Sequence, residues 1–183
     1  MKNIQVLLGT FLLLTLSIHS YGQAFSRQVT PYISIQEATI ALTNVTLIDG
    51  TGNAVKYQQD ILINDHKITG IGNTGTIEFP ENTTIIEGTG KTVIPGFVML
   101  HEHLFYAKPF SGKYKGVHMT NTFPQMYLAG GVTTMRTAGS FEANADLNIK
   151  NSINQGKMVG PAMDVSTPHV ERLGFIPQLQ SLY

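Results

Sequence analysis

Between residues 38 and 94 the apolar positions fall in short β-branched runs and nowhere repeat at helical spacing. ATIALTNVTLID (38–49) ends in the turn cluster Gly50-Thr51-Gly52-Asn53. DILIN (60–64) alternates, turns at Asn64-Asp65 and returns as HKITGIG (66–72). TTIIEG (83–88) and KTVIPG (91–96) follow, each bounded by glycine or proline. The pattern predicts consecutive strands and a small β-domain over residues 38–92. A domain of roughly 55 residues is only marginally stable alone.

After Pro95-Gly96 the rhythm changes. FVMLHEH (97–103) predicts a strand whose apolar first half suits burial on both faces, as in a parallel sheet. HMTNTFPQMYLAGG (118–131) predicts a helix, with Phe123, Met126, Tyr127 and Gly130 at three- and four-residue spacing and a Gly-Gly stop. VTTMRT (132–137) is a second strand. ADLNIKNSINQG (145–156) is a second helix, with Asp146 near its start and Gly156 just past its end. AMDVSTP (162–168) is a third strand closed by proline. Strands alternating with helices through short links predict an α/β class and right-handed parallel βαβ units.

The chain has 183 residues, 42% hydrophobic and 13% charged, which excludes a disordered tail. Twelve basic and twelve acidic residues cancel, so charge gives no reason to expect a nucleic-acid partner. Without cysteine there is neither a disulfide nor a thiolate metal site, and any zinc is held by nitrogen and oxygen. Residues 1–22 read as a secretory signal: Lys2, an apolar run from Val6 to Ile18, and small residues Ser20 and Gly22 before the cut, with Gly22-Gln23-Ala24 as an alternative. That run falls short of the roughly 20 residues a bilayer span needs. An exported protein is therefore expected, periplasmic or extracellular, without stable membrane insertion after cleavage. Residues 23–37 form an N-terminal segment. Asn44-Val45-Thr46 and Asn82-Thr83-Thr84 fit the glycosylation sequon, a short pattern that arises often by chance.

Two motifs bear on chemistry. Gly70-Ile71-Gly72-Asn73-Thr74-Gly75 matches a dinucleotide fingerprint and follows a strand, yet TIEFPENTTII after it cannot begin the helix that would hold a pyrophosphate. These glycines are read as turns. His101 and His103 lie two apart at a strand end, so their side chains project from one face and can converge on one cation. Glu102 points the other way. Polar residues at a strand exit are the plainer alternative for the pair.

The ordered set NVTLIDGTG (44–52), DILINDHKITGIG (60–72), GKTVIPGFVMLHEH (90–103), AGGVTTMRTAG (129–139) and ADLNIKNSINQGKMVGPAMDVS (145–166) resembles the metal-dependent amidohydrolases. The resemblance runs through about residues 38–174 and is strongest to the branch with imidazolonepropionases and exported Xaa-Pro dipeptidase-like enzymes. It implies a small β-sandwich joined to a (β/α)8 barrel of TIM type. It also implies one or two divalent metals, usually zinc, that activate water against an amide or other C–N bond of a small-molecule substrate. His101 and His103 match the family's strand-one ligands. Two positions depart from it: Met99 and Thr137 each stand where the family usually has Asp.

A complete barrel takes about 250 residues, whereas 91 run from Val93 to Tyr183. Residues 93–183 are thus expected to form about three strand–helix units. The resemblance puts the remaining ligands, and the general base, beyond Tyr183. The 183 residues alone are then expected to be incomplete and inactive, with the third strand an open edge. A non-catalytic exported binding module and a degenerate remnant are the alternatives, and a homo-oligomer stays open. Arg136 is a candidate for a substrate carboxylate if it faces inward, and His169 for a substrate contact, though an ordinary surface histidine fits the latter better. His66 and His118 receive no function.

Overall fold

The computed structural model describes residues 25–110 and 113–168. The expected signal segment 1–22 and His169 lie outside them. The N-terminal segment makes a short 3-10 turn at Thr30–Tyr32, and its Ser26 N–H donates to the Gly156 carbonyl at 2.9 Å.

A five-stranded mixed sheet comes first. It is built from β1 (Thr39–Leu47), β2 (Lys56–Asn64), β3 (Lys67–Asn73), β4 (Thr84–Glu87) and β5 (Thr92–Val93), in the order β3-β2-β1-β4 with β5 also on β1. β1–β2 and β2–β3 are antiparallel, whereas β4 and β5 run parallel to β1. Val45, Leu47 and Ile61 form its buried cluster. The described residues hold this one sheet over the stretch expected as a sandwich. The boundary expected between residues 92 and 93 falls inside β5, both of whose residues pair with β1.

The β2–β3 hairpin closes through Asp65 and His66, at φ 47° and 64° between the paired Asn64 and Lys67. Two successive positive-φ residues in a two-residue loop match the right-handed strand twist. His66 is thus a turn residue. Of the three glycines read as turns, Gly70 and Gly72 are strand residues of β3, paired with Leu62 and Asp60, and only Gly75 is in a turn, at φ 81° just after β3 with no helix following. That turn folds around Asp60, whose carboxylate accepts from Gly75 N–H and Asn44 N–H at 2.9 Å and from the Thr74 hydroxyl at 3.0 Å. Burial pushes the Asp60 pKa up, but the donors from Gly75, Asn44 and Thr74 outweigh it and hold the carboxyl below its ordinary value. Asn44 occupies a register irregularity of β1 at φ 54°, and its amide donates to the Thr89 hydroxyl at 2.7 Å. The first sequon is therefore built into the sheet.

The second sheet is parallel, in the order β10-β9-β6: β6 (Phe97–Glu102), β9 (Val132–Thr137) and β10 (Ala162–Asp164). α1 (Thr122–Ala129) links toward β9, and α2 (Ala143–Asn154) runs between β9 and β10. α2 ends before Gly156 at φ 65°, the stop its sequence announces. α1 begins four residues later than its periodicity suggests, because His118 belongs to a strand; Pro124 sits in its first turn, where a missing N–H costs nothing. Leu104, Val132, Met135, Ile149 and Met163 make the core beneath the two helices. Each such burial contributes about 1.5–3 kcal/mol.

Two findings differ from expectation. Phe105–Phe110 (β7) and Lys113–His118 (β8) pair as an antiparallel hairpin inserted between β6 and α1. Moreover, β6 is not buried on both faces: Phe97, Val98 and Leu100 are 51%, 60% and 72% exposed. The cause is its position. β6 is an edge strand among the described residues, and both helices pack on β9 and β10.

Candidate metal centre

His101 is the penultimate residue of β6 and His103 the first past its end, so the pair occupies the C-terminal rim of the parallel sheet. His101 is exposed and His103 half-buried. Their ring centroids lie 5.5 Å apart with planes at 86°. A zinc–nitrogen bond of 2.0–2.1 Å sets a ring centre about 3.2 Å from the ion, so two imidazoles at a tetrahedral angle have centres about 5.2 Å apart. The centroid separation of the pair is close to that spacing. Among the described residues no cluster of three or more histidine, cysteine or carboxylate side chains is placed to hold a metal.

The rim is held by its neighbours. The Tyr127 hydroxyl, from α1, donates to the His103 carbonyl at 3.0 Å. Burial, then the adjacent Glu102 carboxylate, pushes the Tyr127 phenol up to about 12 against the lowering effect of that bond. Glu102 thus faces the helix layer, as alternation predicted. Its carbonyl accepts from Ala138 N–H at 2.9 Å and ties β6 to the end of β9. The His103 ring also packs on Phe105 at 4.9 Å, and Phe105 on Phe141 at 5.2 Å.

The two positions that depart from the family pattern have structural settings. Met99 pairs with Met135 and Glu102 with Thr137, so Leu100 and His101 together oppose Arg136. This bulge breaks simple alternation along β6. Met99 is 38% exposed and lies outside the core cluster that includes its register partner Met135. Thr137 is buried at the end of β9. Its hydroxyl accepts from Ser166 N–H at 2.8 Å and lies 3.2 Å from the Ser166 hydroxyl, which in turn accepts from Gly139 N–H at 2.8 Å. A neutral hydroxyl here joins the ends of β9 and β10.

Arg136 lies between the buried Met135 and Thr137 and points away from the helices, with Nε 3.6 Å from Asp164 on β10. Its direction, open from sequence alone, is therefore away from the helix layer. His118 is the residue that sequence reasoning passed over. Its Nε2 lies 2.8 Å from Asp146 Oδ1 in α2, a carboxylate 2% exposed. The two are 28 residues apart, and no local pattern joins them.

No family model matches the chain. It is 36% identical over 95 residues to an enamidase of Eubacterium barkeri, covering 51% of this chain and 23% of that protein. It is 34% identical over 70 residues to a 5-methylthioadenosine/S-adenosylhomocysteine deaminase of Carboxydothermus hydrogenoformans, covering 38% of this chain and 16% of the relative. The chain thus spans less than a quarter of the length of either. The structure of a molinate hydrolase superposes with a TM-score of 0.61 at 26% identity, over 74% of this chain and 31% of that one. A Xaa-Pro dipeptidase with bound methionine shares the fold, with a TM-score of 0.61 at 22% identity over 72% and 34%. Over the stretch shared with these proteins, the likenesses point to the metal-dependent amidohydrolase superfamily.

Proposed function

We propose that these residues form the N-terminal portion of a metal-dependent hydrolase that cleaves an amide or other C–N bond of a small-molecule substrate. One observation carries the proposal: His101 and His103 stand at the rim of a parallel sheet, with ring centroids 5.5 Å apart, in a chain similar to members of this superfamily. They would hold one divalent ion, which we take to be zinc. When bound, the ion lowers the pKa of a coordinated water and polarises the scissile carbonyl. The chain's own residues prepare the site. Tyr127 fixes the backbone of His103, the Thr137–Ser166 bonds tie neighbouring strand ends, and Arg136 offers a cation for an anionic substrate group.

Two imidazoles are fewer than the three protein ligands of a catalytic zinc. The superfamily's further ligands and its general base would come from the rest of a (β/α)8 barrel, preceded by the completed β-sandwich. The solved neighbours are about three times as long as the stretch they share with this chain. We further propose export, on the strength of the apolar run Val6 to Ile18 after Lys2.

Equilibrium dialysis of the purified chain against Zn2+ tests the metal assignment. Wild type should retain one ion in excess of His101→Ala and of His103→Ala, and the two variants should match each other. Equal retention by all three would overturn the assignment.

A further inference from the structure

We infer that His118 and Asp146 form a latch that positions the His103 imidazole by holding the β7–β8 hairpin on α2. Asp146 lies in the first turn of α2, and the bond to His118 Nε2 at 2.8 Å is the only side-chain bond it makes to another element among the described residues. Its side chain is 2% exposed and that of His118 14%. A carboxylate so far from water depends on that donor, and losing it leaves an uncompensated polar group in the interior.

What the latch holds is set by register. His118 is the last residue of β8 and pairs with Phe105, the first of β7. Phe105 packs on the His103 ring at 4.9 Å and on Phe141 at 5.2 Å. Gly116, also on β8, lets the Phe141 ring approach: a Cβ there would stand 2.6 Å from Phe141 Cζ. Next to His118, Met119 N–H donates to the Leu104 carbonyl at 2.7 Å, one residue past His103. The path from Asp146 to the imidazole therefore runs through one hydrogen bond, one strand pairing and one ring contact. Tyr127 fixes the backbone of His103, and the hairpin fixes its ring. A carboxylate-held imidazole on the next element does for His103 what an outer-shell partner does for a ligand without touching it.

The consequence for metal binding rests on the proposed function; the positioning of the ring does not. NMR of the histidine Cε1–H groups in metal-free chain reads the ring directly, because Phe105 shifts the His103 signal. Asp146→Ala should move or broaden the His103 signal while His101 and the amides of β1–β3 stay in place, and Asp146→Asn, which keeps an acceptor, should recover most of the original position. If Asp146→Ala does not fold, His118→Ala gives the same readout with the same expectation. An unmoved His103 signal in the folded variant overturns the latch. With Co2+ added, Asp146→Ala should bind about tenfold more weakly than wild type. Should wild type take up no Co2+, the metal assignment fails while the metal-free spectra still decide the latch.

Discussion

Asp60 is a carboxylate enclosed by the first sheet, with three donors from Asn44, Thr74 and Gly75. Replacing it by alanine leaves the Asn44 and Gly75 N–H groups without this charged acceptor, and should cost about 2 kcal/mol in urea unfolding. Its folded pKa lies below the ordinary 3.8. A depressed carboxyl pKa contributes stability above the unfolded value and loses it as pH falls through the folded value, so the contribution should fade below about pH 4. Parallel losses in wild type and Asp60→Asn between about pH 5 and pH 3 would contradict this. The His101–His103 pair was legible because strand alternation is a local rule, needing only the two residues and the apolar run before them. Three neighbours were not. Thr137 reads in sequence as a missing acid and in space as a hydroxyl between strand ends. Met99 is followed by a register shift, invisible in composition, that separates it from His101. The His118–Asp146 bond depends on a hairpin that brings together residues 28 apart.

The strands β1 to β5 and the two helices were readable in outline because β-branched runs and three- and four-residue spacing mark them, although β2 begins at Lys56, ahead of the alternating DILIN run, and α1 begins late. The β7–β8 hairpin was not: FYAKPF and KYKGVH carry lysines, a proline and a glycine and little β-branching, so pairing rests on contacts outside the segment. β6 was read as a strand correctly but as a buried one wrongly, because its apolar sequence reports what it is suited to pack against rather than what packs there. Its exposed edge is an aggregation liability. Leu100→Lys should raise the soluble fraction of the purified chain, measured by light scattering, with little effect on its melting temperature. More scattering, or a large fall in melting temperature, would mean that Leu100 is covered. Gly96 lies where β6 begins against β9, and a Cβ there would stand 2.2 Å from Thr133 Oγ1. Gly96→Ala should destabilise the chain by about 1–3 kcal/mol in thermal unfolding.

The whole molecule joins a mixed sheet to a three-stranded parallel sheet through Pro95-Gly96, and the histidine pair sits at the end of the first strand after that joint. A parallel order in which consecutive strands neighbour one another is the beginning of a wound α/β fold, and in such folds chemistry gathers at strand C-termini. The central claim is that His101 and His103 bind one divalent ion together. The most direct measurement is a Zn2+ titration followed through the imidazole 15N and 1H signals of each histidine. The account predicts that the signals of His101 and His103 move together and saturate at the same Zn2+ concentration, while those of His66 and His118 stay in place. Independent shifts of the two, or none at concentrations that leave His66 unaffected, would contradict it.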